Sequence, residues 1–378
     1  MIYLDNGATS LHKPPCVRQA MTAALSRCAN PGRGGHPAAM EAAKAVYRCR
    51  ELASRMFDCD PEQVVFTQNC THGLNIAINS LVKPGSTVVI SGFEHNAVVR
   101  PLYAMGAKVV VAGRRLFDPG DTLECFEKAL KKGASAAVFT HCSNVFGYIL
   151  PVEEMAELCR QYGVPFVVDA AQSAGCLPVR LHQWGASFIA MPGHKGLLGP
   201  QGTGLLLCGC VPKPLLYGGT GSRSLDRQMP EELPERLEAG TLNVPGIAGL
   251  GAGMEYLRRI GLSRVFRQER QAAEHCAEGL RRLGYTVFTG AHQSGVVSFV
   301  ARDDCEQLAQ WLGEKGIAVR AGLHCAPLAH ESAGTLETGT VRVSFGHDAD
   351  PGQSQQLLNA LRQYENMTDP TKERKRNF

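Results

Sequence analysis

Polar and ionisable residues of this chain collect where short apolar runs end. Thr67 leads into Gln68-Asn-Cys70-Thr71-His-Gly73, and Ser91 into Gly92-Phe-Glu94-His95. Thr140 leads into His141-Cys-Ser143-Asn144, Val168 into Asp169-Ala-Ala-Gln172, and Ala190 into Met191-Pro192-Gly193-His194-Lys195. An isolated carboxylate at the end of a buried run is costly, so Asp169 calls for a cation, although alone it would serve equally as a helix N-cap. Lys195 is hemmed by Gly193, Gly196 and Gly199. A lysine desolvated in such a turn loses basicity and becomes a nucleophilic amine, whereas most lysines are simply solvated.

The apolar runs that end in these residues read as strands. They are 63–67, 87–91, 108–112, 136–140, 165–169, 187–190 and 204–208, rich in Val, Ile, Phe and Leu. Continuous runs of this length suit a parallel sheet buried on both faces. Amphipathic stretches such as 38–56 and 152–162 lie between them, the latter bounded by Pro151 and Gly163. Strand–helix alternation predicts an open α/β sheet, whose ligands bind beyond the strands' carboxyl ends. After Gly240 the pattern changes. A helical stretch over 246–283 breaks near Gly261; strands follow at 285–289, 296–300, 318–321 and 341–345, with a helix over 305–315. That predicts a mostly parallel seven-stranded sheet in a large α/β domain over 16–245 and a smaller α+β domain over 246–368. Residues 1–15 form an N-terminal segment packing near the active site, and 369–378 a frayed basic tail.

Composition narrows the function classes. The 378 residues carry a net charge of +4, too weak a balance for a dedicated nucleic-acid binder. No apolar stretch approaches the ~18 residues that span a bilayer, and the first residues lack the basic and apolar regions of a signal peptide. A cytoplasmic protein without a membrane partner is expected. Its fourteen cysteines are then free thiols by default. None forms a CxxC pair, and Cys208 and Cys210 read as strand residues, so no metal site is expected.

An Asp and a Lys on neighbouring strand ends form a pairing familiar from pyridoxal phosphate enzymes, in which the lysine carries the cofactor and the carboxylate keeps the pyridine nitrogen protonated. Asp169-Ala-Ala-Gln172 followed 26 positions later by Lys195 resembles the signature of class V, fold type I pyridoxal phosphate enzymes, and within them the group II cysteine desulfurases and selenocysteine lyases. Supporting motifs span nearly the whole chain: Tyr3-Leu-Asp-Asn6, Glu94-His95, Ser143-Asn144, Glu238-Ala-Gly-Thr241-Leu-Asn243 and Arg320-Ala-Gly-Leu-His324-Cys325-Ala326. Cys325 precedes Arg342 by 17 residues, a short span that matches group II rather than the longer loop of group I.

The resemblance implies roles. Lys195 would bind the cofactor and move the Cα proton, Asp169 would meet the pyridine nitrogen, and Gln172 the ring hydroxyl, with Asn144 nearby. His95 would stack on the ring. Thr71 with the amides of 70–72, Cys70 among them, would cradle the phosphate, and His194 would add a contact. Thr241 would reach the partner's phosphate, which implies a homodimer with shared active sites. Arg342 would hold the substrate carboxylate through a bidentate fork, with Arg320, Asn144 and His36 in the same pocket. Relatives often carry Thr at Cys70 and Ser at Pro192, so this chain lacks two hydroxyls expected of the phosphate cup.

The function implied is conversion of L-cysteine to L-alanine, with a persulfide on Cys325 and onward transfer to an acceptor protein. The required thiolate needs a positive or hydrogen-bonding neighbour, for which His324 and Arg320 stand closest in sequence. L-selenocysteine fits the same chemistry. Class V aminotransferase, epimerase or kynureninase activity is the alternative enzyme reading, and a cofactor-free scaffold the non-enzymatic one.

Overall fold

The computed structural model describes residues 1–32 and 34–368; the expected basic tail lies outside these residues. Thirteen strands are present among them: β1 (Ile2–Tyr3), β2 (Val64–Thr67), β3 (Thr87–Ser91), β4 (Lys108–Ala112), β5 (Ala136–Thr140), β6 (Phe166–Asp169), β7 (Phe188–Pro192), β8 (Gly204–Cys208), β9 (Thr286–Phe288), β10 (Val296–Val300), β11 (Ile317–Ala318), β12 (Arg320–Gly322) and β13 (Thr340–Ser344).

The β-branched runs form a seven-stranded sheet of order β2-β8-β7-β6-β5-β3-β4. Neighbours from β7 to β4 pair in parallel, and β8 runs antiparallel to both β7 and β2. The expected mostly parallel seven-stranded sheet is therefore present. Strands β5 to β8 are buried along their whole length, as a sheet covered on both faces requires. One face packs Phe139, Phe166, Ile189 and Leu207, and the other Val138, Val167, Phe188 and Leu206. At the edge, β4 alternates exposed Lys108 and Val110 with partly covered neighbours, and the lysine blunts the free edge.

A second sheet, β12-β13-β10-β9, is antiparallel and covers a separate core of Val297, Phe299, Val341 and Val343 with Leu357 and Leu361. The break expected near Gly261 separates helices Val244–Ile260 and Leu262–Arg282, with Gly261 at φ 85°. The first of these helices departs from the expected domain division. It buries Ile247, Leu250, Met254 and Leu257 in the core beneath the large sheet. The strand expected over 318–321 is also two pieces. β11 pairs in parallel with β1, while β12 pairs with β13.

Residues 2–10 form a strap between the two units. β1 adds to β11, Leu4 enters the smaller core, and Ser10 donates to the carbonyl of His194 through both its amide and its hydroxyl, each at 3.0 Å.

Candidate active site

Asp169 closes β6 and is almost fully buried. Its Oδ1 accepts from the amide of Ala171 at 2.9 Å and from the thiol of Cys70 at 3.4 Å. The first bond turns the chain as a cap would. The second comes from the first residue of helix Cys70–Leu81. Burial, then the Asp169 charge, pushes the Cys70 thiol well up, so it stays protonated and donates. Lys195 follows β7 on the neighbouring strand end. The two turns approach so closely that a Cβ on Gly175 would collide with the Gly196 carbonyl, and Gly175 sits at φ 104°. Burial lowers the Lys195 pKa and the Arg342 guanidinium lowers it further, while Asp169 opposes them. The two strand ends thus face one electrostatic pocket.

His95 caps helix Asn96–Ala104, its Nδ1 accepting from the amide of Ala97 at 3.0 Å. In the neutral ring that bond leaves the proton on Nε2. Burial lowers the His95 pKa, with Asp169 opposing and Lys195 and Arg342 adding to the fall. Glu94 beside it is fully buried, its Oε1 accepting from the Thr140 amide at 2.9 Å and from Ser91. Burial pushes Glu94 up to about 8.

Arg342, on β13, is 2% exposed. Its Nη1 donates to the Asn144 carbonyl at 2.9 Å and its Nη2 to Asp5 Oδ1 at 2.7 Å, and its buried Nε has no partner. Arg320 reaches the other Asp5 oxygen through Nε at 3.2 Å. Asn144 donates to the His324 carbonyl at 2.8 Å, while its own Oδ1 is buried without a partner. Gln172 donates to the Gly7 carbonyl at 2.9 Å.

Cys325 is exposed, in a loop where His324 (φ 51°) and Cys325 (φ 57°) are both left-handed. Each such non-glycine residue costs about 1–3 kcal/mol and persists only where its surroundings impose it. Here the Cys325 carbonyl accepts from the Asn96 amide at 2.7 Å. That bond seats the loop on the helix start next to His95. His324 does not supply the positive neighbour anticipated from the sequence. Burial holds it down at about 2, its Nε2 lies 3.2 Å from Thr340, and its ring stacks on His330.

Several other expectations need adjusting. The His72 amide is already bonded to Asn69 Oδ1 at 2.9 Å, which leaves the amides of Cys70 and Thr71 for an anion. The Cys70 thiol points to Asp169 instead of a phosphate cup. His194 is held at about 4, chiefly by burial, so it offers a neutral ring, whose Nδ1 lies 3.0 Å from Thr9 Oγ1. His36 is exposed at the cap of helix Pro37–Phe57 and shares no hydrogen bond with the Lys195 group. Thr241 is exposed in a surface groove with Gly32, Tyr47, Gly219 and Ser222. Beneath that groove lies a pair the sequence did not signal. Buried Arg50 meets Glu238 Oε2 at 2.5 Å, and Glu238 Oε1 accepts from the Phe66 amide at 2.7 Å. Asp5 was likewise visible only as part of a motif, its arginine partners lying more than 300 residues away.

Pyridoxal phosphate fits these residues. A basic ring nitrogen would meet the Asp169 carboxylate, a ring hydroxyl would answer the orphaned Asn144 Oδ1, and an anion would answer the free amides opening helix Cys70–Leu81.

The model of the aminotransferase class-V family matches residues 2–357. The chain is 34% identical to a probable cysteine desulfurase of Methanothermobacter thermautotrophicus, over 94% of this chain and 92% of that protein. It is also 34% identical to one from Pyrococcus abyssi, over 91% and 89%. Among solved structures, apo cysteine desulfurase from Thermococcus onnurineus superposes with a TM-score of 0.87 at 32% identity, over 96% of this chain and 94% of that one. A cysteine desulfurase from Escherichia coli gives 0.83 at 26%, over 96% and 94%.

Proposed function

The chain belongs to the aminotransferase class-V family, and from that membership we propose that it is a pyridoxal phosphate-dependent cysteine desulfurase that releases L-alanine and retains the substrate sulfur on Cys325. The observation that carries this reading is the seating of exposed Cys325 on the Asn96 amide, next to His95, whose ring feels the charges of Asp169 and Lys195. The named relatives supply the reaction class.

Lys195, Asp169, His95, Gln172, Asn144 and Thr71 would hold the cofactor. When bound, it supplies an electron sink for the bonds at the substrate's α-carbon. Every other task falls to the chain. Arg342 presents its unpaired Nε to the substrate carboxylate. The Lys195 amine, its basicity lowered by burial, takes and returns the Cα proton. His95 keeps Nε2–H toward the site because Nδ1 is tied to its own helix. The Cys325 sulfur attacks the substrate sulfur: an S–S bond forms, the Cβ–S bond breaks, and its electron pair stays with the carbon skeleton. Protonation of that skeleton gives L-alanine, and the persulfide remains on Cys325 for an acceptor protein. L-selenocysteine enters the same pocket, and its selenium leaves more readily.

A homodimer supports the same site. Thr241 stands in an exposed groove, and the neighbouring loop exposes Val211, Leu216, Tyr217 and Leu225, an apolar surface that a second copy would cover. The test is an absorbance spectrum followed by L-cysteine turnover with a reductant. A yellow protein yielding alanine and sulfide in equal amounts is expected. A keto acid product would favour the aminotransferase-like alternative, and a colourless, inactive protein would favour a scaffold.

A further inference from the structure

We infer that the stacked rings of His324 and His330 orient Cys325 for its attack on the substrate sulfur, which makes His330 a positioning residue for that step. The inference rests on the proposed reading that Cys325 is the nucleophile. His324 and Cys325 are consecutive residues at φ 51° and 57°, a conformation that their surroundings must impose. Hydrogen bonds to the loop's main chain supply part of it. The Asn144 side chain donates to the His324 carbonyl at 2.8 Å, the Asn96 amide to the Cys325 carbonyl at 2.7 Å, and the Ala326 amide to the Leu323 carbonyl at 2.9 Å. None of these fixes a side chain of the loop, and the His324 ring does. Its Nε2 lies 3.2 Å from the Thr340 carbonyl, and its face stacks on His330, with centroids 5.7 Å apart and planes at 26°. With that ring drawn inward and buried, the neighbouring Cys325 is left exposed.

The pair is consistent as two neutral rings. A carbonyl only accepts, so His324 carries its proton on Nε2, and its buried Nδ1 is a bare lone pair without a partner. In fully buried His330, Nδ1 lies 2.8 Å from Thr335 Oγ1 and Nε2 has no partner, so the proton belongs on Nδ1. Burial lowers the pKa of both rings, and Arg342 adds to the fall at His324. Two uncharged rings can stack where charged ones would repel. His330 is itself held firmly. It belongs to helix Pro327–Ala333, its carbonyl accepts from the Thr335 amide at 2.9 Å, and its ring centroid lies 5.8 Å from that of buried Phe146. The seat thus ties the loop to β13 through Thr340 and to the core of the large unit through Phe146. The His330 ring bonds to Thr335, outside the groups assigned to cofactor or substrate, so it acts through His324.

The test mixes the holoenzyme with L-cysteine and follows two events: the change in visible absorption as the substrate binds, and the arrival of sulfur on the Cys325 peptide, read by mass spectrometry of quenched samples. His330→Ala is expected to keep the absorption change within about threefold of the parent rate and to slow sulfur transfer about tenfold or more, since a small displacement of a reacting atom is costly. His330→Phe, which keeps a flat ring, should bring transfer back to within about threefold of the parent. The inference is overturned if His330→Ala transfers sulfur at the parent rate, if both events slow alike, or if His330→Phe is as slow as His330→Ala. If His330→Ala does not fold, Thr335→Val decides. It removes the bond that orients His330 and should slow transfer more than the absorption change, and equal effects overturn the inference. Cys325→Ser tests the underlying reading separately, because sulfide release from L-cysteine at the parent rate in that variant removes Cys325 as the nucleophile whatever His330 does.

Discussion

The floor of the site and the loop that carries Cys325 are built by opposite means. Buried Asp169 and half-buried Lys195 stand at or just past the ends of central strands, held by turns whose glycines allow almost no other path. Cys325 is exposed, lies in a strained left-handed pair with His324, and is fixed by one backbone bond to Asn96. The floor must keep two polar side chains in register, which rigid elements do well. A sulfur that attacks a substrate and then hands its cargo to another molecule must stay open to solvent. On the proposed reading, the same chain would use burial to alter reactivity in one place and exposure to permit transfer in the other.

Removing the floor should have the largest effect. Lys195→Ala should abolish turnover and the visible colour of the purified protein. A variant that still desulfurates L-cysteine at the parent rate would end the assignment. Cys325→Ser should break the loop's contribution alone. Colour and the spectral response to L-cysteine should persist, while sulfide release falls by about a hundredfold or more, ~2.7 kcal/mol of barrier. Mass spectrometry after a brief L-cysteine pulse without reductant should find one added sulfur on the Cys325 peptide of the parent, and sulfur on a different cysteine would relocate the nucleophile. Asp169→Ala should fold and lose about tenfold or more in kcat, ~1.4 kcal/mol, and near-parent activity would mean that another group serves the ring nitrogen.

Glu94 sharpens the contrast through pH. Its folded pKa, about 8, lies above the ordinary carboxylate value. Its protonated form therefore adds stability that is complete below the unfolded pKa and disappears as pH rises through about 8. Melting temperature should fall between neutral and mildly alkaline pH, and Glu94→Gln should flatten that slope in part. Glu269, also pushed up to about 8, keeps its share in both proteins. An unchanged slope would show that Glu94 does not titrate there. The smallest effect expected is from Cys70→Ser. A hydroxyl is a better donor to Asp169 than a thiol, so the cofactor's absorption should show a modest change in its pH midpoint with folding intact.

The central sheet was legible because its strands are continuous apolar runs. The structural bounds of β3, β4, β5, β8 and β10 coincide with those expected. Local pattern failed where pairing is remote. The split between β11 and β12 depends on β1 and β13, and nothing within 317–322 marks it. The strand-end residues of the site were legible for the same reason as the strands. Charge state was not. His324 reads in sequence as a helper for a thiolate, but burial keeps it neutral. Asp5 and Glu238 find their arginines across 337 and 188 residues, distances over which sequence spacing carries no signal.

The strap of residues 2–10 also bears on the order in which the molecule can be made. These residues are made long before their partners at 317–318 and 342–344. On the ribosome the large sheet has all its strands once residue 208 has emerged, while β1, Leu4 and Asp5 still lack their partners. Arg342 meets Asp5, and Leu4 reaches its core, only after the second sheet has been made. Closure of the pocket around Arg342 thereby waits for the second sheet, after the large sheet already has every strand it needs.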